Sequence, residues 1–349
     1  MRKPLPEFLL ALGTVVIFGG ALAGCEGALR FAEPRYLDRV KGPTVYSEAY
    51  GWTLRPGFQG TLHGVFTTVN SLGYRGREHP VTEAPARTRV LMLGDSITFG
   101  IGVADAETFS ALLDDRAERF SVINLGVEGY GTDQELTRLE REGLAYHPAV
   151  VILNFCVAND FVNNAGTTAH KPYFTLEGGV LRRHDERVRL SPFRAAAQWL
   201  ADESHLYNRL ETLFPVRPQP TTPLGEAAQG GDRIGPKAAA ERTFALIRRI
   251  ADASRGMGAR FLLLLHPDEA AFRQRSSVLR RFCKTEALAQ IAVVDLGARY
   301  RALGLDYDQI ARDEQGHLTP LGHRFAAEVI DSVLAEPAAD DRLACRDEP

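Results

Sequence analysis

Val90-Leu91-Met92-Leu93-Gly94-Asp95-Ser96-Ile97-Thr98-Phe99-Gly100 is the stretch on which the reading of this chain turns. Four consecutive apolar residues show no alternation, which is the pattern of a strand buried on both faces of a parallel sheet. Gly94 lets the chain turn, and Asp95 and Ser96 stand where a helix would begin. A serine there lies at the mouth of a sheet, beside helix amides that favour negative charge. Taken alone, Gly-Asp-Ser marks an N-cap more often than a nucleophile.

Four further apolar runs follow: Val122–Leu125, Val150–Phe155, Phe261–Leu265 and Ala292–Leu296. Helical patterns at Phe109–Arg116, Gln134–Leu144, Lys237–Ser254, Ser277–Gln290 and Gly322–Ala335 separate or follow them. Strands alternating with helices predict a three-layer α/β/α sandwich on a five-stranded parallel, flavodoxin-like sheet, with the site at the carboxyl ends of the strands. The interval between the third and fourth strands is too long for one crossover, so residues 161–236 are expected to be an insertion. It holds a hairpin about Gly178-Gly179, a helix over Pro192–Leu213 and a mobile Pro/Gly/Gln-rich loop over Pro215–Gly235.

Upstream, residues 26–88 read as a turn-rich, β-containing lead-in, with residues 89–349 forming the main domain. Residues 1–25 read as a leader or anchor. Arg2 and Lys3 precede sixteen apolar residues, Leu9–Gly24, below the roughly 17–25 that a spanning helix needs. Leu22-Ala23-Gly24-Cys25 resembles a bacterial lipobox with Cys25 as the lipidated residue; an uncleaved signal anchor is the alternative. Either places the rest of the chain outside the cytoplasm, tethered to a membrane. The 349 residues carry 41 Lys+Arg against 44 Asp+Glu, a net charge of −3 that leaves no electrostatic footprint for nucleic acid. Four cysteines are too few for a disulfide scaffold; Cys156 reads as an inert buried thiol, while Cys283 and Cys345 are free to pair.

Polar loops at other strand ends raise the standing of Ser96. Asn124-Leu125-Gly126-Val127-Glu128-Gly129 brings glycine backbone near a ligand, and Val157-Ala158-Asn159-Asp160 puts an amide at a strand end. Asp313-Glu314-Gln315-Gly316-His317 places a histidine behind two acids, just ahead of the last helix. His323 with Asp313 matches no compact metal motif, and His266 reads as a strand-end histidine satisfied by backbone.

With these four blocks in order, the chain resembles the SGNH hydrolases, the GDSL-type lipases and esterases, over about Val90–Val333. The Asn70–Gly76 segment and the N-terminal anchor look like those of membrane-attached bacterial members. The resemblance implies ester hydrolysis without metal or cofactor. Ser96 is the implied nucleophile and His317 its base. The Ser96 and Gly129 N–H groups and the Asn159 amide are the implied oxyanion donors. Asp95 and Asp160 are expected to shape loops. Two departures stand out. Val157 replaces the family's glycine, which narrows the site or shifts the oxyanion loop. The acid three before His317 is Glu314 and the aspartate, Asp313, is four before; both can orient the imidazole, and spacing leans to Glu314. The implied substrate is an ester-bearing small molecule, glycan or lipid. An O-acyltransferase and a lapsed envelope-binding protein are the rival readings.

Overall fold

The five apolar runs form one parallel sheet. The computed structural model describes residues 7–37, 41–81, 87–116, 119–166, 171–185, 188, 190–214, 234–273, 282, 285 and 291–335. In chain order these give α1 (Glu7–Ala32), β1 (Thr44–Ser47), β2 (Gly51–Leu54), β3 (Gln59–Leu62), β4 (Val65–Thr68), β5 (Thr88–Leu93), α2 (Ser96–Phe99), α3 (Phe109–Asp114) and β6 (Phe120–Asn124). Next come α4 (Thr132–Arg141), β7 (Val150–Cys156), α5 (Asp160–Ala165), β8 (Tyr173–Glu177), β9 (Val180–His184), α6 (Pro192–Glu203), α7 (His205–Leu213) and α8 (Pro236–Gly256). The last are β10 (Arg260–His266), α9 (Glu269–Arg273), β11 (Ala292–Asp295), α10 (Leu296–Ala302), α11 (Tyr307–Ile310) and α12 (Pro320–Ala335). The expected helix over Ser277–Gln290, the loop over Pro215–Gly235 and both Cys283 and Cys345 fall wholly or largely outside the described residues.

The sheet order is β11-β10-β7-β5-β6, all parallel, as the buried runs predicted. Successive side chains on a strand point to opposite faces, and here both faces are covered. Val90, Met92, Val122, Ile152, Leu262 and Val294 pack on one side with Phe109 and Leu113 of α3 and Ile330 of α12. Leu91, Leu93, Ile123, Val151, Leu263 and Val293 pack on the other, with Leu136 of α4 and Leu246 and Ile250 of α8. The chain runs from β5 outward to β6, then returns past β5 to β7. The crevice outside β5 and β7 is therefore the switch point where α/β sheets bind ligands.

The chain divides into two units, Met1–Gly42 with Leu190–Thr221, and Pro43–Arg189 with Thr222–Pro349. The leader boundary expected at residue 25 falls inside α1, which continues unbroken to Ala32. Leu9–Ala32 is long and apolar enough to cross a membrane, and none of its most apolar stretch is buried; a signal sequence and an anchor both fit it. The unbroken apolar run ends at Gly24, but the helix carries on through Cys25, Glu26 and Arg30. The single helix expected over Pro192–Leu213 is two, α6 and α7. Ser204 leaves helical geometry at φ −100°, ψ 119° and its hydroxyl accepts from Tyr207 N, so it caps α7 and ends α6.

In the second unit the lead-in is a clamp on the sheet's loops. Tyr50, Trp52, Leu54 and Phe58 share a core with Phe99, Ile101, Val127 and Tyr130. Trp52 Nε1 donates to Glu128 O at 3.0 Å, Tyr130 Oη donates to Trp52 O at 2.7 Å, and Gln134 Nε2 donates to Tyr50 O at 2.8 Å. Arg75 is buried and donates to the carbonyls of Phe99 (2.9 Å), Gly100 and Val103 (2.6 Å) and to Asp105 (2.9 Å). A buried guanidinium satisfied this way is costly to interrupt, because removing it orphans carbonyls and a carboxylate together. Arg75→Met should lower the free energy of urea unfolding by about 3 kcal/mol; a loss under about 0.5 kcal/mol would show that the clamp carries no stability.

Candidate active site

Ser96 opens α2 directly after β5. The cap of this helix is Asp95, whose Oδ1 accepts from Ile97 N at 2.9 Å. The N-cap role that Gly-Asp-Ser suggested for the serine thus belongs to the aspartate, and the Ser96 hydroxyl is left for another partner. That partner is His317: Ser96 Oγ and His317 Nε2 are 2.9 Å apart, joining residues 221 positions apart in sequence.

The imidazole is fixed by its own loop. Asp313 Oδ2 lies 2.6 Å from His317 Nδ1, and Asp313 Oδ1 accepts from Gln315 N at 3.1 Å and His317 N at 3.2 Å. An aspartate that binds backbone amides two and four residues on builds its own turn, so its carboxylate is aimed before any ligand arrives. The acid on the imidazole is therefore Asp313, four residues before it, and the lean to Glu314 on spacing does not match this geometry. Glu314 enters the loop through its carbonyl, which accepts from Tyr307 Oη at 3.3 Å and Glu269 N at 3.3 Å. Tyr307 Oη also donates to Asp313 O at 2.9 Å. Gly316 has φ +92°, and its carbonyl accepts from His266 Nε2 at 2.8 Å. Burial pushes His266 down to about 4, so at neutral pH it is an uncharged donor that pins the loop carrying His317. The backbone reading of His266 matches this contact.

Asn159 follows β7, and its Nδ2 donates to Asp95 Oδ2 at 2.9 Å. An amide nitrogen has two hydrogens, so one remains for a ligand. Asp95 is fully buried, and that burial raises its carboxyl above the usual range against the hydrogen bonds from Asn159 and Ile97. Asp160 accepts from Cys156 N at 2.7 Å and so holds the end of β7. Val157 donates its N–H to His266 O at 3.0 Å, and its half-buried side chain packs against the core. Gly129 has φ +79° in the turn between β6 and α4. Asn124 Oδ1 accepts from Gly126 N at 2.9 Å while its Nδ2 donates to Thr98 O at 2.8 Å, tying that turn to α2, the helix that Ser96 opens. A Cβ on Gly126 would lie 2.5 Å from Phe99 N, so the close approach of the two loops requires glycine.

The other histidine weighed for a metal, His323, is buried on α12. Its Nδ1 accepts from Phe109 N at 3.1 Å, and burial pushes it down to about 3. Among the described residues no group of three or more His, Cys, Asp or Glu gathers as a metal site. Cys156 is buried, with its thiol pushed well up, and Cys25 is exposed on α1.

Sequence reasoning passed over a buried acid cluster behind the site. Glu135, 1% exposed on α4, has both carboxyl oxygens without a donor among the described residues. Burial first, then the charges of Asp160, Asp95 and Asp133, push its carboxyl well above the usual range, with Lys171 pulling the other way. Lys171 Nζ is spent on Asp133, at 2.8 Å from both oxygens. The signal that could have found this cluster is the acid-rich start of a helix, Thr132-Asp133-Gln134-Glu135, placed next to buried strand ends.

A serine at the switch point of this sheet, bonded to a histidine that is bonded to an aspartate, defines a serine hydrolase of α/β/α architecture. The model of the GDSL-like Lipase/Acylhydrolase family matches residues 92–325, and the chain belongs to that family of esterase-type enzymes. No curated protein matches it. Among solved structures, a member of the lipolytic protein G-D-S-L family from Veillonella parvula is 13% identical, covering 71% of this chain and 99% of its own, with a TM-score of 0.39. A catalytic mutant of Axe2, an acetylxylan esterase from Geobacillus stearothermophilus, is 12% identical, covering 73% of this chain and 97% of its own, with a TM-score of 0.40.

Two outcomes test the site. Asp313→Asn should lower kcat by on the order of 10⁴ while Glu314→Gln stays within a few-fold of the parent, the reverse order reassigning the acid. Glu135→Gln removes a carboxyl whose folded value is raised. The stability that Glu135 contributes is fully present below the unfolded value and is lost as pH rises through the raised folded one. The variant should therefore gain stability over the parent as pH rises above the usual carboxyl range; a difference that shrinks with pH would mean that Glu135 is ionised and paired.

Proposed function

We propose that this enzyme is an exported, membrane-tethered serine esterase that removes an O-acyl group from an envelope glycan or lipid. The observation that carries the reading is the unbroken Ser96–His317–Asp313 chain of hydrogen bonds at the switch point of the sheet. Ser96 Oγ attacks the ester carbonyl as His317 Nε2 takes its proton, and Asp313 holds Nδ1–H and stabilises the imidazolium. The Ser96 and Gly129 N–H groups and the free hydrogen of the Asn159 amide bind the oxyanion. Losing one such donor typically costs about 2.7–4 kcal/mol of transition-state stabilisation. His317 returns its proton to the departing alcohol, then activates the water that attacks the acyl-serine. The leaving acid and the restored Ser96 close the cycle. His266 and Tyr307 hold the His317 loop in register throughout, and Asp95 holds the Asn159 amide.

The tether is read as an uncleaved signal anchor. Arg2 and Lys3 favour the cytoplasmic side. The α1 residues after Cys25 are engaged as helix: Glu26 caps α7, and Arg30 Nη2 donates to Glu203 O at 2.6 Å. Cys25→Ser should leave membrane association unchanged, and the parent should take up no palmitate analogue; labelling lost in Cys25→Ser would establish a lipoprotein instead. For the chemistry, the parent should turn over p-nitrophenyl acetate and Ser96→Ala should lose at least 10³-fold of that activity, on the scale of a removed triad member. An equally active Ser96→Ala would overturn the reading.

A further inference from the structure

Helices α6 and α7 carry apolar side chains that nothing among the described residues covers. Phe193 is 83% exposed, Trp199 61% and Phe214 67%, with Leu210 and Leu213 beside them. The positions follow helical spacing. Phe193, Ala196 and Leu200 recur on one face of α6, and Leu210 and Leu213 share one stripe of α7, with Phe214 just past its end. The opposite side of α7 is occupied: His205 is buried, and Tyr36 packs near it at 5.9 Å between ring centroids. The two helices are thus amphipathic, with their apolar side turned outward.

Their depth is set by a polar junction. Glu26, on the anchor helix, accepts from Leu206 N at 2.8 Å, His205 N at 3.0 Å and Ser204 Oγ at 2.9 Å. Arg30 Nη2 reaches Glu203 O, and Arg209 pairs with Glu33. One face of α1 therefore grips the point where α6 ends and α7 begins. Between Glu7 and Glu26 the helix has no charged residue. Those eighteen residues rise about 27 Å, close to the thickness of a bilayer's hydrocarbon core. Glu26 is consequently the first charge at the outer boundary, and the helices it caps lie at that same level.

We propose that α6 and α7 form a platform that lies on the membrane, with Phe193, Trp199, Leu213 and Phe214 inserted at the boundary between headgroups and acyl chains. Phe31, 91% exposed on the last turn of α1, belongs to the same belt. Aromatic rings are favoured at that level, and an amphipathic helix pair in the plane of the interface buries what water would otherwise meet. A stem with this collar resists tilting and rotation in a way that a single spanning helix does not. The proposal rests on the anchor reading above.

The test uses the full chain in nanodiscs of phosphatidylethanolamine and phosphatidylglycerol, with a doxyl group near the top of the acyl chain as quencher and iodide as the aqueous one. The chain has two tryptophans, so subtracting the Trp199→Phe signal from the parent isolates Trp199 without disturbing the buried Trp52. The doxyl lipid should quench this difference signal several-fold more than iodide does. Quenching chiefly by iodide places Trp199 in water, and quenching by neither places it against protein, such as a second copy; each overturns the platform. Failure of the chain to enter nanodiscs at all would instead overturn the anchor itself.

Discussion

A single buried carboxylate joins the parts of this enzyme that must meet. Asp95 caps α2 with one oxygen, which releases the Ser96 hydroxyl, and holds the Asn159 amide with the other. It therefore ties the ends of β5 and β7, neighbours in the sheet at its switch point. Burial raises its carboxyl above the usual range, and those two donors and the histidine across the crevice oppose that rise only in part. A carboxylate satisfied in this way is rigid, and rigid donors do not need to reorganise when charge develops on the reacting ester.

Around that tie the loops are held from outside. The lead-in supplies Arg75 beneath the loop after α2 and Trp52 on the turn that carries Gly129. The His317 loop is held by Asp313 within itself, by Tyr307 from α11 and by His266 from the end of β10. His266 acts because it is neutral: a charged imidazole in its fully buried position would carry an uncompensated desolvation cost. The acid cluster around Glu135 follows the opposite logic. Lys171, the cation that pulls the other way, is committed to Asp133, so burial and the neighbouring acids push the Glu135 carboxyl well up.

The central sheet was legible in the residues. Continuous apolar runs predicted all five parallel strands because a strand buried on both faces has no polar face to show, and the Gly178-Gly179 turn predicted the β8–β9 hairpin. The residues brought together at the strand ends were also legible, because those loops face the side of the sheet on which a ligand fits. The choice between Asp313 and Glu314 was not, since one residue of spacing does not encode the turn that Asp313 builds with Gln315 and His317 amides. Nor was the break at Ser204: the helical pattern runs straight through it, and the carboxylate that reinforces it is contributed by Glu26, far away in sequence. Arg75 carried a weak signal at most, because a lone arginine in a turn-rich stretch gives no hint that three carbonyls await it.

The proposed chemistry depends on a serine made nucleophilic by a histidine that an aspartate orients. The most direct measurement is covalent trapping by a fluorophosphonate, followed by mass spectrometry of the digested protein. The expected result is one adduct, on the peptide containing Ser96, whose rate of formation falls by orders of magnitude in His317→Ala and in Asp313→Asn. An adduct elsewhere, or one on Ser96 that forms as fast without His317, would contradict it.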